Sequence, residues 1–525
     1  MSIEPSAVPT ARKAELRSAA IKVGAAALVA AGLFALYAHE VKVEEQVQDL
    51  LLGTRIAGGR AGGARAELTR DTPAGWLAAE TSLGKALELQ PSNPLAIAWL
   101  ADVEEQLAAG GFPDRAPRAE QAAARAEQKE VEQPERFEAH ALQLLLGGRA
   151  GEAEQYLLNL LARYGAVPKL VDALGRAQRA SGKLQDARQS FKKAQDAEWR
   201  SPRFVADYAQ ALLEEGASAE AAATFDRALQ ANSDHLRSQI GKARALVALA
   251  HSGRVGADLK LAKSLCDGTL GHTGEELPAA LRAQALAARA EVQLALGDVA
   301  AATDDATKAV EANGKSAQAL RARGLAAAAS TEHKADAPGF FKASLAIDPY
   351  DASTYFDGAQ ALAAAGDGAA AEKLLGSFAA TLPKTARYHV ALAQLLSRKN
   401  DDKGALAELQ KAQTLEPANP AIYFEQGRIA QKQKDNKAAV AAYERAAQLR
   451  DDYPEVYRQM GSLYLENKDL PDALRSFNEA LARYKASRLP PAQMEAFYAD
   501  VVSQVSKAGK AKLAAEWVKE ARALH

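Results

Sequence analysis

The chain has 525 residues, with 65 Lys and Arg against 66 Asp and Glu and a formal net charge of −1. So even a balance excludes a partner held by bulk charge, such as nucleic acid. Apolar residues make up 48% and charged residues 25%, which excludes wholesale disorder. Aromatic residues are only 6%, and Ala-rich stretches carry the apolar share. That composition favours helices packed closely on small residues over a strand-rich core of Val, Ile and Tyr. Cys266 is the single cysteine, so an intramolecular disulfide, a cysteine zinc site and an iron–sulfur cluster are excluded. It reads as a small buried hydrophobe.

At the N-terminus, Arg12, Lys13, Arg17 and Lys22 precede an uncharged stretch from Val23 to His39. Residues 19–38 therefore read as a single-pass transmembrane anchor after a cytoplasmic tail, 1–18. A cleaved signal peptide is the competing reading, and Leu36 spoils its small-residue rule. The excess of basic residues before the span predicts a cytoplasmic N-terminus with everything beyond on the far side. With the bacterial origin that the Ala-, Arg- and Gly-rich composition suggests, that side is the periplasm beyond the inner membrane, whereas in a eukaryotic chain the same layout resembles an organelle-surface receptor with the chain beyond the anchor in the cytosol. Residues 39–66 follow as a helical extension and a Gly-rich tether, GTRIAGGRAGGARA from Gly53. No Lys-Ser/Thr pair closes that run into a phosphate loop.

From Tyr355 onward the chain repeats itself. The copies start at Tyr355, His389, Tyr423 and Tyr457, each 34 residues after the last (389 − 355, 423 − 389, 457 − 423). A small residue recurs as Ala359, Ala393, Gly427 and Gly461, an alanine as Ala371, Ala405, Ala439 and Ala473, and a bulky residue as Leu375, Leu409, Tyr443 and Phe477. This pattern resembles the tetratricopeptide repeat (TPR) family, in its membrane-anchored bacterial envelope form. The resemblance implies an all-α, right-handed superhelical solenoid of tandem helix-turn-helix repeats, joined here to the N-terminal transmembrane helix. Small residues are expected to let helix A and helix B of a unit cross closely, while bulky ones fill the gap to the next unit.

The same frame returns earlier, where Pro134, Pro168 and Pro202 are spaced 34 apart. Surplus residues around 110–118 and between Leu236 and Ala283 break the period. The expected organisation is an N-terminal array over 67–270, an insertion at 271–282, and a C-terminal array with a capping unit over 283–525.

Catalytic motifs are missing. Gly314-Lys315-Ser316 lacks the rest of a phosphate loop, and the eight histidines include no pair at helical spacing. His389 stands at a packing position. Asp304-Asp305, Asp401-Asp402 and Asp451-Asp452 read as helix caps. No cofactor, metal or small-molecule substrate is expected, and the chain reads as a non-enzyme.

The resemblance implies a concave groove built from helix A of each unit. In the frame above its residues are Phe356, Asp357, Gln360, Arg387, Val390, Gln394, Arg398, Phe424, Glu425, Arg428, Lys432, Arg458 and Gln459. The five cations among them, with Phe356 and Phe424, suggest a partner peptide of acidic and apolar character. The asparagines that co-chaperone relatives use to clamp a C-terminal carboxylate are absent from these copies. The expected function is a membrane-anchored scaffold that assembles or stabilises an envelope machine (secretion, pilus, motility or cell wall) through envelope proteins. The alternatives are a periplasmic holdase near the translocon, or a regulatory subunit of polysaccharide export or cytochrome maturation.

Overall fold

The computed structural model describes residues 72–507 except 110–111, 113–114, 130–131, 252–257, 272–276 and 487–490, with 59–60, 63–64, 67–68, 515, 517 and 519 in addition; the side chains of 491–496 are outside it. The tail 1–18, the anchor 19–38, most of the stretch 39–66 and most of the final capping segment fall outside these residues.

What is described is all helix. After α1 (Pro73–Leu89) come the pairs α2 (Pro94–Ala109) and α3 (Arg115–Gln128), α4 (Pro134–Leu146) and α5 (Ala150–Tyr164), and α6 (Pro168–Ala180) and α7 (Leu184–Ala197). The next are α8 (Pro202–Glu215) and α9 (Ser218–Ala231), α10 (Leu236–His251) and α11 (Leu259–Leu270), and α12 (Ala279–Leu296) and α13 (Val299–Ala312). Helix α14 (Ala317–Ala329) reaches α15 (Ala337–Ile347) through a short 3-10 turn. The clearest repeats close the array: α16 (Ala352–Ala364) and α17 (Gly368–Thr381), α18 (Ala386–Arg398) and α19 (Asp402–Leu415), α20 (Pro420–Lys432) and α21 (Asn436–Leu449), and α22 (Pro454–Glu466) and α23 (Leu470–Ala486), with α24 (Pro491–Lys507) as a cap. Most even-numbered helices pack on the next even-numbered helix, whereas odd-numbered ones make no comparable contact with each other. The closely spaced set lies inside the curve, and the whole is a right-handed solenoid of helix-turn-helix units.

Local chemistry sets the period. Pro at the first helical position opens α4, α6, α8, α20 and α22, where its missing N–H costs nothing. The turn from inner to outer helix needs one left-handed residue, supplied by Gly182 and Gly216 early in the array and by Asn400, Lys434 and Lys468 later. Asp367, Asp401, Asp435 and Asp469 then cap the following outer helices through the N–H three residues on, at 2.9, 2.9, 3.0 and 3.2 Å. Asp401 is thus a cap as expected. Asp304 and Asp305 are not: both lie within α13, where Asp304 pairs with Lys308 at 2.5 Å and buried Asp305 with Arg289 at 2.7 Å.

Packing follows a volume rule. A Cβ added to Gly175, Gly427 or Gly461 would stand 2.7, 2.5 and 2.6 Å from the ring of Phe191, Tyr443 and Phe477, each sixteen residues on (191 − 175, 443 − 427, 477 − 461). Where the small residue is Ala359 or Ala393, the residue sixteen on is Leu375 or Leu409, and all four are buried. The small residue thus makes room for the partner helix's side chain, rather than for its backbone. Cys266 is fully buried, and burial pushes its thiol up to about 12, as suits a small hydrophobe.

One core cluster runs without interruption from Ala187 to Val292, taking in Leu277 and Leu281. Distant units also meet. Arg179 Nη2 lies 2.8 Å from Asp348 Oδ2 across 169 residues, roughly five repeats. A Cβ on Gly182 would stand 2.5 Å from Tyr350 Cε1. Leu184 packs against the cluster holding Phe341 and Phe378. Successive turns of the superhelix therefore touch along a seam.

No described helix is long and apolar enough to cross a membrane. The inner helices are short and carry charge on the face they show the groove. Even the 18-residue α12 contains Arg282, Arg289 and Glu291. The expected anchor, residues 19–38, lies outside the described residues.

Candidate functional site

In the units opening at Pro134, Pro168 and Pro202 a charged residue directly follows the proline, and in the first two another stands one turn later, on the inner face. In the first half these are Glu135, Lys169 and Arg203, then Glu138 and Asp172. Lys169 Nζ sits 3.0 Å from Asp102 Oδ2 and 3.5 Å from both Glu135 Oε1 and Glu138 Oε2. Arg203 donates to Glu138 Oε1 at 2.7 Å, and Arg176 pairs with Glu138 and, at 3.2 Å, with Asp172. Asp102, Glu138 and Asp172 are all buried.

Their titration differs with their partners. Burial opposes charge on Glu138, but Arg203, Lys169 and Arg176 outweigh it and hold this carboxyl down at about 2. Burial, reinforced by Asp207, pushes Asp172 up to about 7. Burial and the neighbouring Glu138 also raise Asp102. Glu105, fully enclosed on α2, is pushed up to about 7 chiefly by burial.

A second ladder continues along the inner helices. Arg244 on α10 is 3.9 Å from Glu291 on α12; Glu291 pairs with Arg321 on α14; Arg321 is 2.7 Å from Asp357 on α16; and Asp357 is 3.3 Å from Arg387 on α18. Each carboxylate bridges two units. The ladder is a means of fixing register as much as a surface.

The thirteen expected groove residues fall into two sets. Phe356, Asp357, Gln360, Arg387, Val390, Gln394 and Arg398 come together around one groove of about 180 Å³ between α16 and α18. Phe424, Glu425, Arg428, Lys432, Arg458 and Gln459 lie on the following inner helices, outside that groove. Their cations are engaged. Arg428 holds Glu425 at 3.0 Å; Lys432 holds Asp402 at 2.8 Å; Arg458 holds Glu455 at 2.5 Å and also Asp500. Arg387 lies over the Phe356 ring at 4.4 Å as well as against Asp357. Arg398 is exposed and, among the described residues, has no carboxylate partner. Gln394 donates to Glu425 at 2.9 Å, linking the groove to the next unit.

His389 is buried, with Nδ1 2.6 Å from Glu408 Oε2, a packing residue with one polar partner. Among the described residues no group of His, Cys, Asp and Glu could hold a metal ion. The buried charges of the first half were missed in the sequence, although the 34-residue spacing of Lys169 and Arg203 (203 − 169) and of Glu138 and Asp172 (172 − 138) was there to be read.

A profile described as tetratricopeptide repeat matches residues 420–453, one unit opening at Pro420. No curated protein matches the chain. Among solved structures, the APC/C hetero-tetramer Cut9–Hcn1 is 16% identical, with 86% of this chain and 90% of that chain covered and a TM-score of 0.42. Yeast Tom70 is 16% identical over 74% of this chain and 91% of that one, with a TM-score of 0.41. Human IFIT1, as a dimer with m7Gppp-AAAA, is 16% identical over 74% and 90%, with a TM-score of 0.41. No functional argument rests on similarity at this level.

What the described residues establish is an all-α fold of helix-turn-helix repeats of TPR-like type, one unit of which matches the tetratricopeptide repeat profile. The membrane-anchored bacterial envelope reading is withdrawn, and with it the inner-membrane and periplasmic location, the envelope partners and the membrane as a partner. No described helix is long and apolar enough to cross a membrane, and residues 19–38 lie outside the described residues.

Proposed function

We propose that the protein holds partner proteins together by laying a polypeptide segment of one of them across the inner face at α16 and α18. The observation that supports this is the groove of about 180 Å³ in which an apolar patch, Phe356 and Val390, lies beside exposed Gln360 and the unpaired cation Arg398. A side chain on the partner that pairs with Arg398 fixes register, while apolar contact supplies affinity. A chaperone that takes up unfolded chains needs a broad apolar inner surface, and here the inner helices present ion-pair ladders instead.

The test is a photo-crosslinking residue at Gln360 or Gln394, compared with one at exposed Leu406 on the outer helix α19. A small set of proteins captured only from the groove positions, and lost with Arg398→Glu, is the expected result. Equal capture from both faces overturns the assignment.

A further inference from the structure

A larger cavity, of about 950 Å³, lies where the inner helices of the first half converge by their N-terminal ends, from Pro134, Pro168 and Pro202 round to Pro278. We propose that this throat is a second docking surface, one that takes a polypeptide segment combining Lys or Arg side chains with apolar ones.

Aromatic residues are concentrated here. The chain has four tryptophans. Trp76 and Trp99 line the cavity, and Trp199 stands in a turn whose flanking residues Glu198 and Arg200 also line it. Trp199 is 65% exposed, with the Arg200 guanidinium 4.8 Å above its ring. Trp and Arg are among the residue types that carry most of the binding energy at protein interfaces once covered by a partner. A small molecule filling the cavity would leave Trp199 unused, whereas a polypeptide crossing the rim covers it.

Charge selects the occupant. The lining carries the carboxylates Asp102, Glu135, Glu198 and Asp234 against the cations Lys169, Arg200 and Arg203. Glu138, just behind, draws on both Lys169 and Arg203 through ion pairs, so the wall is left short of positive charge. Glu198 and Asp234, on successive turns of the rim, are exposed and have no cationic partner among the described residues. A basic side chain entering between them is drawn in, and an acidic one is repelled.

The probe is a phage-displayed library of random short peptides panned on the full chain, followed by titration of a synthetic enriched peptide. Sequences rich in Lys or Arg and apolar residues are expected. Affinity is expected to fall by at least about tenfold in Trp199→Ala and in the double variant Glu198→Lys with Asp234→Lys, and to be unchanged in Arg398→Glu. These residues are on the surface, and circular dichroism checks that the variants keep their helicity. No enrichment, enrichment of acidic sequences, or affinity that survives the rim variants each overturns the proposal. Loss of affinity in Arg398→Glu alone reassigns the peptide to the groove at α18 and overturns it as well.

Discussion

Gly427 lies so close to the face of Tyr443 that a single added carbon would stand 2.5 Å from Cε1 of the ring. The contact is the α20–α21 instance of a pattern in the last four units, which pair Gly with an aromatic ring and Ala with Leu across the crossing of inner and outer helix. Gly427→Leu is therefore expected to destabilise by more than ~2 kcal/mol, because the ring has no vacant volume to retreat into. The double variant Gly427→Ala with Tyr443→Leu copies the Ala393 and Leu409 combination of the preceding unit. It should recover part of that loss, short of the hydrogen bond from Tyr443 to Gln431 at 2.9 Å. Urea denaturation followed by circular dichroism measures both; a neutral Gly427→Leu contradicts the crossing geometry.

The buried carboxylates predict an unusual pH response. Asp172 and Glu105 are both raised to about 7 in the folded chain. An acid so raised binds its proton more tightly when folded, so its contribution is full below the ordinary carboxylate range and is lost as pH rises through about 7. The thermal midpoint of the first half should fall as pH rises from roughly 4 to roughly 7 and level off above that. Asp172→Asn with Glu105→Gln should flatten that slope. Glu138, held at about 2, acts in the opposite sense and loses its contribution only in strong acid, as pH falls below the ordinary carboxylate value.

Reversing charge distinguishes binding cations from structural ones. Arg398→Glu meets no carboxylate among the described residues and should leave the melting temperature nearly unchanged. Arg458→Glu places a third acid beside Glu455 and Asp500, where Arg458 now ties α22 to the capping helix α24. It should lower the melting temperature by several degrees, on the order of 1–3 kcal/mol. Differential scanning calorimetry separates the two outcomes.

The seam between superhelical turns is open to the same kind of test. Asp348→Asn keeps the bond that Asp348 Oδ1 accepts from the Tyr350 N–H, at 3.2 Å, but weakens the pair with Arg179. Combined with Tyr350→Ala, it should lengthen the particle, and small-angle X-ray scattering should report a larger maximum dimension with helicity intact. Unchanged dimensions would mean that packing of adjacent units alone holds the turns together.

Much of the fold was legible because its period is a property of residue types. Pro at a helix start, Asp at an outer-helix cap and a small residue facing a bulky one recur at 34 residues, and each has a local physical cause. The groove at Phe356, Arg387 and Arg398 could be placed from that frame. What the frame could not show is that Lys432 is taken by Asp402 and Arg458 by Asp500, carboxylates on other helices that only the fold brings near, although the pairs of Arg428 with Glu425 and of Arg458 with Glu455, three residues apart on one helix, were there to be read. Asp305 misled for a similar reason: as one of two adjacent acids it resembles a cap, yet it faces Arg289 across a helix crossing. The seam at Arg179 and Asp348 was invisible, since nothing in either segment records a contact 169 residues away.

A simple stack of repeats loses or gains a unit without disturbing the rest, because each unit feels only its two neighbours. Here the link from Arg179 to Asp348, with Gly182 fitted against Tyr350, adds a bond between layers, much as a rivet joins successive turns of a coiled strip. The number of units between the two ends of that link is thereby fixed. Insertion or removal of one repeat between them would carry Asp348 to another place around the circumference, so this stretch can change in length only by abandoning the seam.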